Sequence, residues 1–324
     1  MRGGRAGAVV ALLAAALCVR SVLASGDGVE VSAQRFWLSE HHDRGEVVGQ
    51  GVRLLGTVRL TGRDSHGLSA LAWDADAERL FAVSDLGRLV EFRLIMEGDF
   101  LVGAEALWSG PLRMRSGRPL RGKTLTDAEG MAWVDGEHPL CISFERQHRV
   151  ECFDRRGRAG ESVALSGPLR GSGRFSGSNS GLESLMAHPR WGLVAAPERP
   201  LHGASEKQLP WVALSDGRYW NHTLSERDGC AQTAMEPMHD DAVLVLERCW
   251  VGPGIPLVVY LREGRLNPEG VRVKDLLELH SGEGWKVDNF EGLAGVGRNR
   301  FVMISDDNGN LWQQTLLVMF ERIE

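Results

Sequence analysis

Four stretches of this chain follow one plan, and that repeat constrains the fold more than any other feature. They are Ser69-Ala-Leu-Ala-Trp73, Glu129-Gly-Met-Ala-Trp133, Glu183-Ser-Leu-Met-Ala187 and Glu291-Gly-Leu-Ala-Gly295. Each is followed by a turn and then by an apolar run that ends in an acid. The runs are Leu80 to Asp85, Leu140 to Glu145, Gly192 to Glu198 and Phe301 to Asp306. A fifth run, Ala242 to Glu247, has the same ending but a weaker first half. From anchor to acid the interval is 15 or 16 residues each time. Two strands and a tight turn fill such a span. Further strand-like sequence follows, as in Arg88 to Leu94, Arg149 to Phe153 and Pro256 to Leu261.

Four strands per unit, repeated radially, describe a blade, so the expected fold is an all-β propeller. Five four-stranded blades can be counted. Residues 29–60 and 100–120 align poorly and leave room for a sixth. Val52 to Val58 is expected to join Leu316 to Phe320 in one blade, which closes the circle and hides the sheet edges. A short helix is expected near Val273 to Leu279. Trp73 and Trp133, at equivalent positions, read as core.

The chain has 324 residues, and its start reads as an export signal. Arg2 and Arg5 precede an apolar stretch from Ala8 to Val19, and Val22-Leu23-Ala24 offers a cleavage site after Ala24. The expected division is a signal peptide over 1–24 and one propeller domain over 25–324. The apolar stretch is too short to span a bilayer, so a periplasmic or secreted protein is expected. Cleavage would remove three arginines and no acid, deepening a net charge of -6. That acidity disfavours nucleic acid as a partner and is compatible with cations. A monomer is expected.

Cys18 leaves with the signal, which leaves Cys141, Cys152, Cys230 and Cys249. In an antiparallel hairpin the numbers of facing residues have a constant sum. Cys141 and Cys152 centre on Arg146-Gln147, and Cys230 and Cys249 centre on His239-Asp240. Facing residues lie within disulfide reach, so the bonds Cys141–Cys152 and Cys230–Cys249 are expected.

The anchor starts the first strand of a blade and the acid ends the second, so the two are neighbours near the axis. Glu129, Glu183 and Glu291 are thus expected to gather with Asp85, Glu145, Glu198, Glu247 and Asp306 on one axial face. Asp127, Asp307, Asn179, Asn289 and Asn308 lie close in sequence. So many carboxylates raise one another's pKa unless cations intervene. Arg146, Arg199 and Arg248 each follow an acid and could serve in blade-to-blade ion pairs or grip an anionic ligand. Oxygen-only ligands suit Ca²⁺. Asp85, Asp127, Glu145, Glu198, Glu247 and Asp306 are the expected metal ligands.

Other signals carry less. Gly117 to Thr124 matches a P-loop by spelling, but it contains Pro119 and runs into a strand instead of opening a helix. His41-His42 reads as a surface pair. His148 reads as a hairpin surface residue, with an acid–base role as the rival. Asn221-His222-Thr223 is a glycosylation sequon.

In order, Gly67 to Leu71 with Ala82 to Asp85, Asp127 to Gly130, Ser143 to Arg149, Asn179 to Glu183, Leu246 to Arg248, and Asn289 to Gly292 with Ser305 to Asn308 resemble the phytase-like, esterase-like family of exported bacterial propellers. The resemblance covers about residues 50–320. It implies hydrolysis of phosphate or carboxylate esters, with calcium-dependent propeller phytases as a distant comparison. No lysine supply is visible around the site, which argues against phytate. The expected activity is Ca²⁺-dependent ester hydrolysis of a small-molecule ester or phosphate. Glu129, Glu183 and Glu291 with Arg146, Arg199 and Arg248 would be the catalytic set. The rivals are a non-catalytic binding propeller and a calcium-dependent lactonase.

Overall fold

The computed structural model describes residues 28–177, 180–267 and 270–323. The expected signal segment lies outside them. Four sheets have four strands in simple sequence order. Blade 1 comprises Leu68–Asp74, Arg79–Ser84, Arg88–Glu97 and Phe100–Pro111. Blade 2 comprises Ala128–Trp133, Leu140–Phe144, Arg149–Phe153 and Ala159–Val163. Blade 3 comprises Leu182–His188, Gly192–Pro197, Gln208–Ala213 and Tyr219–Thr223. Blade 4 comprises Cys230–Pro237, Ala242–Cys249, Val258–Asn267 and Gly270–His280.

Blade 5 holds Asn289–Gly297, Arg300–Asp306 and Thr315–Arg322, and takes its fourth strand, Val52–Thr61, from the other end of the chain. Leu317 faces Val58 and Arg322 faces Val52 across that closing ladder. Ser32–Phe36 and the short Val47–Val48 add to its outer side. The described residues form five blades and no sixth: Phe100–Pro111 is the outer strand of blade 1, and the strands within 32–61 belong to blade 5.

The first strands touch in a circle, blade 1 to blade 2 and onward to blade 5 and back. They are buried on both faces, as in Leu68–Asp74, while an outer strand such as Ala159–Val163 is partly exposed. Apolar side chains therefore fill the spaces between blades. Between blades 1 and 2, Phe81, Val83 and Leu89 meet Met131, Phe144 and Phe153. Hydroxyls tie a blade to the first strand of the next. Ser69 Oγ donates to Ala128 O at 2.6 Å, Ser143 Oγ to Leu182 O at 3.0 Å, and Thr233 Oγ1 to Phe290 O at 2.9 Å.

Cys141 faces Cys152, and Cys230 faces Cys249, and both pairs are disulfide-bonded. The expected helix near Val273 to Leu279 is instead the outer strand of blade 4. A bulge opposite Leu261–Arg262 breaks the alternation there and puts Leu276 beside Leu277, which mimics helical spacing. Trp73 and Trp133 are only partly buried, packed against the core at the far mouth of the axial channel.

Candidate functional site

Every first strand carries a β-bulge at the same place. In blades 1 to 5 the extra residue is Ser69, Glu129, Glu183, Thr233 and Glu291. A bulge re-aims the side chain it inserts. Three of the five bulges thus place a glutamate at the axis. The tight approach explains the small residue that follows. A Cβ on Gly130 would sit 2.7 Å from Glu183 O, and one on Gly292 would sit 3.0 Å from Ala70 Cα.

One residue beyond the pair that precedes each bulge, the partner strand carries Asp85, Glu145, Glu198, Arg248 and Asp306. Glu247 is absent from this set. It faces Gln232 before the bulge, in register with Ser84, Phe144, Pro197 and Ser305. One residue of slip reverses the face a strand residue occupies. Glu247 therefore points into the blade, where His222 Nε2 lies 2.8 Å away, Arg262 donates at 2.6 Å and Ser225 N–H at 2.9 Å. Burial pushes its pKa up, but these partners outweigh burial and hold it below the usual range. Arg248 takes the axial place that the run-ending acid was expected to fill.

The result is a basin of about 790 Å³ at one end of the axis. Among the described residues, nine carboxylates line it, those of Asp85, Asp127, Glu129, Glu145, Glu183, Glu198, Asp288, Glu291 and Asp306, against the cations Lys123, Arg146, Arg199 and Arg248. Lys123 bridges Asp85, at 2.6 Å, and Asp127. Burial opposes its charge, but the two carboxylates prevail and raise its pKa. Arg146 Nε meets Asp127 at 2.7 Å, and Arg199 lies 3.4 Å from Glu198. Arg248 is held by Glu291 at 3.0 Å, Glu198 at 3.4 Å and Asn289.

Glu129 and Glu183 have no hydrogen bond or ion pair among the described residues. Burial and then the neighbouring glutamates push both well above the ordinary carboxylate range. The same causes raise Glu291, against the pull of Arg248 and Asn289. Burial, with Asp127 and Glu198, takes Glu145 to about 7 despite the N–H of Gly181. Burial and Glu291 take Asp306 to about 8. Carboxylate oxygens of Asp127, Glu129 and Glu145 lie within 4.8 Å of one another, and so do those of Glu145, Glu183 and Glu198. Two oxygens on one Ca²⁺, each at about 2.3–2.6 Å, can be no farther apart than about 5 Å, so both sets fit the ion.

The remaining candidates fall elsewhere. Asp307 accepts from His66 and Gly67 N–H, fastening blade 5 to blade 1. Asn308 and Asn289 line the basin, and Asn179 lies outside the described residues. His148 packs on Phe175 at 3.8 Å, outside the basin lining, its pKa lowered by burial. His42 stacks on Trp285. The P-loop-like segment ends in a four-residue helix, Lys123–Thr126, with no strand feeding it, yet it supplies the basin's lysine. Lys123, Asp288, Trp250, Trp312 and Gln313 were not expected there. Lys123 and Asp288 arrive on connections between blades, and Trp250, Trp312 and Gln313 on the connections between the second and third strands of blades 4 and 5, where the repeat spacing gives no signal.

No helix among the described residues is long and apolar enough to cross a membrane. No curated protein matches the chain. Among solved structures, it is similar to the WD40 repeats of RRP9 (9% identity, 85% of this chain and 100% of that one, TM-score 0.39). It is likewise similar to the PQQ-bound aldose sugar dehydrogenase of Streptomyces coelicolor (12%, 90% and 98%, 0.38). A Bacteroides thetaiotaomicron protein of unknown function also matches (10%, 90% and 76%, 0.45). Residues 63–309 match the family described as phytase-like, esterase-like activity of phytase, and the chain belongs to that family.

Proposed function

We propose that this protein is a Ca²⁺-dependent hydrolase of small phosphate or carboxylate esters, working in the axial basin. The observation that carries the reading is the imbalance of nine carboxylates against four cations around one cavity. Protons or a divalent cation must make up the difference. Glu145, Glu183 and Glu198 are the better ligand set, because Lys123 and Arg146 engage Asp127 of the other set closely, whereas Arg199 and Arg248 reach Glu198 only at 3.4 Å. Bound there, Ca²⁺ would supply Lewis acidity and a more acidic water.

The chain's own groups have separate tasks. Glu129, its pKa raised well above the ordinary carboxylate range by burial and its neighbours, can hold a proton and pass it to a leaving oxygen, and Glu291 stands beside it, tied to Arg248 and Asn289. Arg146 and Arg199, partly exposed at the wall, can orient an anionic substrate and stabilise developing charge. Arg248, with its donors engaged by Glu291, Glu198 and Asn289, fixes the carboxylates. The two disulfides support export to an oxidising compartment.

Calorimetric titration of the chelator-stripped protein with Ca²⁺, followed by a phosphate- and acyl-ester panel, tests this reading. Binding with Ca²⁺-dependent turnover is expected. Absence of Ca²⁺ binding would sink it. A second reading, a non-catalytic binding propeller, is favoured by Trp312, which lines the basin yet is 93% exposed, and by its exposed neighbour Leu311. Ca²⁺ binding without turnover on any ester would favour that reading.

A further inference from the structure

At the opposite end of the blades lies a second cavity, of about 390 Å³, between the hairpin tips of blades 3 and 4. Arg190 and Trp191 come from the first turn of blade 3, and Arg218 and Tyr219 from its last. Asp241 comes from the first turn of blade 4, held in the left-handed region at φ 58°. Both guanidinium groups lie against the Trp191 indole, at 4.6 and 4.7 Å from the ring centre. Trp220 backs that ring at 5.1 Å.

Neither guanidinium makes a hydrogen bond to any described residue. Their nearest acids are Asp241, 3.6 Å from Arg190, and Asp216, 3.9 Å from Arg218. Such loose exposed pairs hold little energy. Each arginine offers five N–H donors in a planar fork, and the cation–π contacts hold both guanidinium groups beside one indole. Two such forks with no hydrogen bond to a described residue suit a planar carboxylate. Beside them Tyr219 is 52% exposed, and its hydroxyl has no partner among the described residues.

An aromatic acid would engage the arginines but offer no hydroxyl to Asp241, which pairs only loosely with Arg190 and His188, or to the Tyr219 hydroxyl. A sugar ring bearing a carboxylate satisfies all of them. Its carboxylate meets the forks, its hydroxyls meet Asp241 and the phenol, and its C–H face meets the Tyr219 ring. The cavity is in the size range of small-ligand sites. We propose that this cleft binds an acidic saccharide of the uronate type, independently of the axial basin.

Titration calorimetry of the full chain with trigalacturonate, galactotriose and benzoate tests the proposal. Trigalacturonate should bind at least tenfold more tightly than galactotriose, and benzoate should not bind measurably. Arg218→Ala should weaken trigalacturonate at least tenfold with an unchanged melting temperature. Tyr219→Phe, which removes only the hydroxyl, should weaken it by a smaller factor. The proposal falls if trigalacturonate does not bind, if the neutral sugar or benzoate binds equally well, or if Arg218→Ala leaves affinity unchanged.

Discussion

Glu183 and Glu247 are both buried carboxylates, and their surroundings give them opposite roles. Glu247 accepts from Arg262 and Ser225 N–H and sits against His222. Its folded pKa is lowered, so its contribution is present above the unfolded pKa and is lost as pH falls through the folded one. Breaking a buried pair strands its partners, so Glu247→Gln should cost about 3–5 kcal/mol at pH 7 in urea denaturation. Glu183 has no such partner, and its pKa is raised. Glu183→Gln should leave stability equal or higher at pH 7 without metal, and should lower Ca²⁺ affinity at least tenfold by calorimetry.

The basin as a group sets a pH slope. A carboxyl whose folded pKa is raised binds more protons folded than unfolded, so stability falls as pH rises through that window. With Glu145 at about 7 and Asp306 at about 8, the chelated protein should lose stability steadily from pH 5 to 8. Glu247 does not offset this loss, because its own window lies below the ordinary carboxylate pKa. Ca²⁺ should flatten the slope. Urea midpoints that rise with pH in chelator would contradict the assignment.

At the scale of elements, what was legible followed from constant spacing. Hairpin symmetry identified both disulfides, because facing residues are fixed by register. Replacing Cys141 and Cys152 together by alanine should cost about 3 kcal/mol for so short a loop, measured by denaturation under oxidising conditions, with the fold retained. The anchor-to-acid interval finds seven of the basin's nine carboxylates, Asp127 follows as a sequence neighbour of Glu129, and the interval fails in blade 4 for a definite reason. The bulge there falls on Thr233, which carries a hydroxyl like Ser69 and no carboxylate, so the sequence marks the unit by its ending alone. Counting 15 residues from Thr233 gives Arg248, as the structure has it. Lys123 and Asp288 could not be counted, since the connections that carry them obey no period. Nor could the Trp191 cleft, which two hairpin tips of different blades assemble.

For the whole molecule, the closing ladder decides whether the circle exists. Val58 pairs with Leu317 on one side and Arg35 on the other. A proline there removes a ladder donor from an interior strand and would free the edge of Thr315–Arg322 for pairing with other copies. Val58→Pro should therefore give oligomers or aggregate by size-exclusion chromatography. Proline at exposed Val47, in the two-residue outer strand, should not.

The short strand Ser32–Phe36 changes how that ladder would respond to force. Val52 and Arg322 face each other at one end of the closing ladder. A pull applied at those two residues would unzip it, one pair at a time. Ser32 instead lies opposite Thr61, at the other end. A pull between Ser32 and Arg322 runs along the strands and loads all the pairs together. Five residues laid on the outer edge thus turn a zipper into a shear clamp, so tension drawn through the chain from Ser32 meets the propeller in its mechanically stronger direction.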